Sequence, residues 1–252
     1  MQPKQSSNNL LENRTILVTG AGDGIGRATS KCYASQGATV ILLGRTEEKL
    51  EAVYDEIVNE QCPTPVIVTL DLNTATPENY TELTEMLESE FGQLDGLLHN
   101  ASVLGERKPL VQHSVAAWHE VMQVNLTAPF LMTKALLPLL EQAEQASIIF
   151  TSSGVGKKGK AYWGAYSVSK FGTEGMAQIW ADELANTSNI RVNVINPGAT
   201  RTNMRARAYP AENPETNPVP EDITGLYLYL MSDESLSIHG QSLDVADFKP
   251  SN

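Results

Sequence analysis

The stretch "TILVTGAGDGIGRATSKCYASQG", residues 15–37, runs from a β-branched apolar segment through a cluster of glycines into an amphipathic one. Residues 15–20 read as a buried strand, and residues 25–37 as a helix that stops at Gly37. Between them "TGAGDGIG" (19–26) supplies Gly20, Gly22, Gly24 and Gly26, with Asp23 and Ile25 in the same loop. Glycine at such a junction can serve a tight turn for steric reasons alone. At the head of a βαβ unit it also lets main-chain amides approach a pyrophosphate at the helix N-terminus. The placement of the loop, more than its composition, points to a dinucleotide.

The same alternation continues along the chain. "ATVILLG" (38–44), "PVIVTLD" (65–71), "LDGLLHN" (94–100), "ASIIFTS" (146–152), "IRVNVINP" (190–197) and "GQSLDV" (240–245) read as strands. Helices are predicted over 46–60, 76–91, 114–142 and 163–186. Short, near-continuously apolar strands that alternate with helices describe a parallel sheet covered on both faces. The expected fold is α/β: a single Rossmann domain over residues 1–252 with a doubly wound sheet of about seven strands. Residues 1–13 read as a polar N-terminal extension. Residues 199–222, with Pro210, Pro214, Pro218 and Pro220, are the least regular part and are expected to form a mobile flap within the domain.

Lys+Arg 18 against Asp+Glu 30 gives a net charge of −12, which argues against nucleic-acid binding, since that needs a basic footprint. The N-terminal "MQPKQSSNNLLENR" holds no apolar run of signal-peptide or membrane-span length. Cys32 and Cys62 show no metal-type spacing. A cytoplasmic protein without membrane attachment, disulfide or metal is the expectation.

The end of the second strand decides between two dinucleotides. NAD-binding proteins of this architecture often carry a carboxylate there for the ribose hydroxyls. Here "LLGRT" puts Gly44 in that region and Arg45 after it, so a 2′-phosphate meets a guanidinium and no repelling charge. NADP(H) is therefore favoured, with NAD(H) the alternative. Asp23 weakens this reading slightly, since a basic residue in the loop would have helped.

"AYSVSK" (165–170) sets Tyr166 and Lys170 one helical turn apart. Ser153 lies thirteen positions upstream in "FTSSG", Asn125 is an unexpected polar residue in "VMQVNLTAPF", and "NPGATRT" (196–202) follows the sixth strand. In this order, with "HNAS" (99–102), these segments closely resemble the short-chain dehydrogenase/reductase family over roughly residues 14–245. "VTGAGDGIGR", "VILLGR", "WGAYSVSK" and "INPGATRT" are more narrowly similar to the bacterial YciK-type oxidoreductases.

The resemblance implies hydride transfer between NADP(H) and a small-molecule carbonyl or alcohol. It makes Tyr166 the general acid or base and has Lys170 favour its phenolate and bind the nicotinamide ribose. Ser153 would hold the substrate oxygen, and Asn125 would anchor a water in a proton relay. Asp71 and Leu72 would lie at the adenine, Asn100 and Ala101 along the cofactor, and Pro197, Gly198, Thr200 and Thr202 at the nicotinamide. Charge arithmetic agrees with the assignment: a lysine ~4 Å away at an effective dielectric of ~20 supplies about 4 kcal/mol, enough to bring a phenol from ~10 toward neutrality.

Three departures stand out: His99 and Ser102 replace the family's first Asn and final Gly, with His99 read here as a packed strand-end histidine, and "IHGQSLDVADFK" lacks the usual Val-Asp-Gly-Gly ending. Trp163 and Met204, with Tyr209, are the candidate pocket walls. Lys157, Lys158, Lys160, Arg201, Arg205 and Arg207 would rim the mouth and suit an anionic substrate or an acidic carrier. Helix 114–142, apolar on more than one face, predicts a homodimer or homotetramer formed through it and helix 163–186. The competing function is a catalytically idle NADP(H)-binding sensor or assembly module.

Overall fold

The computed structural model describes residues 9–249. Seven parallel strands form one sheet: β1 (Thr15–Thr19), β2 (Thr39–Gly44), β3 (Val66–Thr69), β4 (Gly96–His99), β5 (Ala146–Thr151), β6 (Ile190–Asn196) and β7 (Ser242–Asp244). Their order is β3-β2-β1-β4-β5-β6-β7. The helices are α1 (Gly24–Ser35), α2 (Glu47–Asn59), α3 (Pro77–Phe91), α4 (Val115–Met122), α5 (Ala128–Leu140), α6 (Gly154–Lys157), α7 (Gly164–Leu184), α8 (Asn203–Ala208) and α9 (Thr224–Met231).

Strand alternation distributes the apolar residues to two cores. Leu17, Ile41, Leu97 and Ile148 meet α3, α5 and α7 on one face. Ile16, Val18, Val40 and Ile149 meet α1, α2 and α9 on the other. The chain runs outward from β1 to β2 and β3, then crosses back to pair β4 with β1 on its other side. The connections after β1 and β4 therefore diverge and open a crevice at the carboxyl ends of the strands.

The structure departs from the sequence reading at four places. The helix predicted over 114–142 contains a π turn, Gln123–Thr127, between α4 and α5. Pro129, four residues after Asn125, has no N–H to return to the Asn125 carbonyl, and the chain widens there instead. The short helix α9 was not anticipated. Its sequence "TGLYLYLM" lacks a polar face because the helix is largely enclosed by the second core. The described part of the N-terminal extension is no free tail: Leu11 is fully buried and its amide donates to Gln36 O at 3.0 Å. Finally, residues 199–222 hold α8 and two 3₁₀ turns, Pro214–Thr216 and Pro220–Ile223, so the segment is more regular than its prolines suggest.

Two arginines close the carboxyl end of α9. Arg191 on β6, almost wholly buried, donates to Leu230 O, Ser232 O and Ser235 O at 3.0–3.1 Å. Arg14, just before β1, donates to Met231 O at 3.1 Å and pairs with Asp233. No helix among the described residues is long and apolar enough to cross a membrane.

Replacing Arg191 by leucine removes its buried bonds to Leu230 O, Ser232 O and Ser235 O, leaving Ser147 as the side-chain donor to Leu230 O and Ser235 to Ser232 O. Urea unfolding is expected to show a loss of about 2–4 kcal/mol.

Candidate active site

Gly26 explains how α1 reaches the crevice. A Cβ there would stand 2.1 Å from Gly20 O and 2.6 Å from Asn100 Nδ2, so only glycine lets the helix approach β1 so closely. Gly20 adopts φ +68°, which L side chains rarely take. The first turn of α1 thus meets a continuous cavity of about 400 Å³ lined by Gly20, Gly22, Asp23, Gly24 and Ile25. Thr19 Oγ1 accepts from the amides of Asn100 and Ala101, both at 3.0 Å, and so fixes the end of β4 beside this loop.

One end of the cavity is polar and passes Arg45, Lys49, Asp71 and Leu72. Lys49, which the sequence reading did not single out, bonds Asp23 at 2.7 Å, and Asn203 Nδ2 reaches the same carboxylate at 3.1 Å. These partners outweigh burial and hold Asp23 below the usual carboxylate range. The negative charge that counted against a phosphate is therefore matched by a lysine at the cavity wall.

The other end holds Ser153, Trp163, Tyr166, Lys170, Pro197, Gly198, Thr200, Thr202 and Met204. Two predicted residues lie behind the wall. Gly26 packs on Gly20, and Asn125, buried in the π turn, binds Val103 in both directions. Its Oδ1 accepts from Val103 N at 2.8 Å, and its Nδ2 donates to Val103 O and Ser169 Oγ, both at 3.0 Å. His99 is packed as anticipated: it stacks on Phe150 at 4.8 Å and pairs with Thr133 Oγ1 at 2.8 Å. Burial, reinforced by the Lys170 charge, pushes it down to about 3.

The electrostatics of the Tyr166–Lys170 pair correct the sequence-based arithmetic. Burial pushes the Tyr166 phenol up to about 12, opposed in part by hydrogen bonding with Ser153 and Ser102. Burial likewise pushes Lys170 down to about 8, against the attraction of Glu174. The ammonium lies 5.7 Å from the phenol ring centroid, and it donates to Thr151 O at 2.7 Å. Desolvation wins because both groups are enclosed, a fact the spacing of four residues does not carry. At neutral pH Tyr166 is a protonated donor in a cavity wall.

The predicted rim of six cations is also corrected. Lys157 pairs with Asp244 at 3.2 Å, and Arg205 forms a two-point contact with Glu212. Arg201 turns onto the carbonyls of Pro214 and Asn217. Lys160 also donates to the Tyr209 hydroxyl at 3.3 Å, so four of the six predicted rim cations have partners within the protein, though among the described residues only Lys157 and Arg205 meet a carboxylate.

A glycine-cradled helix N-terminus at a topological switch point, continuous with a buried tyrosine, serine and lysine, defines a dinucleotide-dependent oxidoreductase site. A profile of the short chain dehydrogenase family matches residues 14–213, and the chain belongs to that family. It is 51% identical to the Escherichia coli oxidoreductase YciK over 243 residues, covering 96% of this chain and 94% of that one. The solved short chain dehydrogenase of Salmonella enterica superposes with a TM-score of 0.93 at 51% identity, covering 96% of this chain and 99% of its own. A Shigella flexneri structure complexed with NADP gives 0.92 at 49%, covering 95% and 100%.

Lys170 makes stability depend on pH. Between about 8 and 10.5 the unfolded chain holds a proton that the folded chain releases, so stability from this residue rises across that window. Below pH 8 both states are protonated and the cost of burying the charge is carried in full. Wild type is therefore expected to gain on the order of 2–3 kcal/mol relative to Lys170→Met between pH 7 and pH 10, measured by urea unfolding.

Proposed function

We propose that this chain is an NADP(H)-dependent reductase or dehydrogenase of small-molecule carbonyl compounds and alcohols, with Tyr166 as its proton-transfer group. The observation that carries this reading is one cavity with Arg45 and Lys49 at one end and Ser153, Tyr166 and Lys170 at the other. The cradle suits a dinucleotide, since the missing side chain at Gly26 lets the first turn of α1 lie against Gly20 and face the cavity. Gly44 offers no carboxylate to a 2′-phosphate, and the Shigella flexneri relative was solved with NADP. When bound, the cofactor supplies or accepts the hydride.

The protein's groups manage the oxygen and its proton. Ser153 Oγ holds the substrate oxygen, and the Tyr166 phenol donates to it during reduction. A lysine within the same enclosure then favours the phenolate that remains, because an opposite charge nearby is weakly screened there. Asn125 is a positioning residue: its carboxamide is occupied by Val103 and Ser169, so the water expected in a proton relay falls to its main-chain carbonyl. The flap at 199–222 carries Thr202 and Met204 over the cavity, and its mobility is part of this proposal. Its hinge to the cofactor loop is the Asp23–Asn203 contact.

The assembly is a homodimer or homotetramer. Phe130 on α5 and Val168, Phe171 and Ile179 on α7 are exposed, an apolar set on the two helices expected to pair.

Tyr166→Phe is expected to lower kcat by ~10²–10⁴-fold in a carbonyl screen while NADPH titration stays nearly unchanged. If wild type binds NADPH but reduces none of the compounds, the sensor reading gains. Arg45→Ala should weaken NADPH by about tenfold or more and leave NADH unmoved, as read by nicotinamide fluorescence. Phe171→Glu should shift sedimentation to the monomer; an unchanged species would remove α7 from the interface.

A further inference from the structure

Arg107, in the connection after β4, was not marked by the sequence. Its guanidinium stacks on Trp163, with Cζ 3.9 Å from the ring centroid, and lies 5.3 Å from the Tyr209 ring. Its Nε and Nη1 are buried and have no hydrogen-bond partner among the described residues. The adjacent Glu106 cannot serve: its carboxylate holds Lys108 at 2.8 Å and Ser114 N at 2.9 Å. Glu212, across the mouth, is taken by Arg205 and Asn217.

Two buried guanidinium nitrogens without an acceptor are costly, and stacking on an aromatic face offsets only part of that. The surroundings deepen the imbalance. Lys160 Nζ lies 3.3 Å from Tyr209 Oη, and Arg205 stacks on the same ring at 3.9 Å. Three cations therefore gather at Tyr209 around the single carboxylate of Glu212, in a chain whose net charge is −12. Together they outweigh burial and lower the Tyr209 phenol.

The place of this cluster gives it a direction. Trp163 packs on Tyr166 at 5.6 Å and lines the same cavity, so Arg107 stands across one aromatic ring from the proposed proton donor. Tyr209 belongs to the flap, and the segment that covers the cavity also covers the guanidinium. We infer that Arg107, with Lys160, forms an anion subsite, and that the substrate carries a carboxylate or phosphate remote from its reacting carbon. A substrate laid along Trp163 would place its oxygen at Tyr166 and its anionic end at Arg107. The inference rests on the reductase reading for its chemistry, although the subsite is testable by binding alone.

The experiment is calorimetric titration of the NADP⁺-loaded protein with hexanoate, hexyl phosphate and hexanol. At least one anion should bind about tenfold or more tighter than hexanol, and the better one identifies the group. That preference should collapse in Arg107→Gln, recover in part in Arg107→Lys, and fall with added KCl in wild type while hexanol is unaffected. NADPH titration reports whether each variant is folded, and the salt series tests the inference even if Arg107→Gln is not. Anions that bind no better than hexanol, or a preference untouched by Arg107→Gln, would overturn it. A parallel assay compares reduction of levulinate and methyl levulinate. Anion-selective binding without turnover of either ketone counts against the reductase reading and leaves the subsite standing. Turnover of both ketones with no preference for the acid and no anion-selective binding does the reverse.

Discussion

The contact between the Gly20 carbonyl and Gly26 governs how the working half of the molecule is built. With no room for a Cβ between them, α1 lies against the end of β1, and its first turn faces the crevice. From there the strand order does the rest: β2 and β4 lie on opposite sides of β1, so their connections part at the same edge. Thr19 then ties the Asn100–Ala101 backbone to that edge, and the cavity becomes one channel from Arg45 to Tyr166. Binding of a long, bent ligand is thus built largely from main chain, and side chains at the two ends decide which ligand and what reaction.

Much of this was readable because the relevant signals are local. Short apolar strands beside amphipathic helices, a glycine loop in a βα turn, and Tyr166 and Lys170 at helical spacing each lie within a few residues of one another. What escaped reading depends on enclosure. The π turn at Asn125 leaves the helical pattern on either side intact, and only Pro129, a missing donor, hinted at it. Helix α9 has no polar face because the core surrounds it. Arg107 looked like any loop cation, and nothing in "LGERKPL" tells that its neighbours' carboxylates are already engaged. The sign of the Tyr166 shift failed for the same reason: spacing reports a charge nearby, not the water that has been removed.

Buried and partly buried cations recur in this fold, and each is handled differently. Lys170 is kept by one carbonyl and a lowered proton affinity; Arg191, which cannot readily lose its proton, is kept by several carbonyls at the end of a helix. Arg107 has neither arrangement, only an aromatic face. The contrast separates positive charge that the protein has neutralised for its own stability from positive charge it leaves available to something else.

Arg14 donates to the main chain of Met231 across 217 positions of sequence. The residue that precedes the first strand is therefore held by the end of α9, a helix that completes the second core by packing on α1 and β5. During synthesis α1 and α2 emerge early enough to cover β1 and β2 on that face, but the part of the core that α9 completes over α1 and β5 stays open until the chain is nearly finished. A ribosome that stalls before α9 would therefore release a chain whose second core is incomplete, with apolar surface on α1 and β5 still open to self-association.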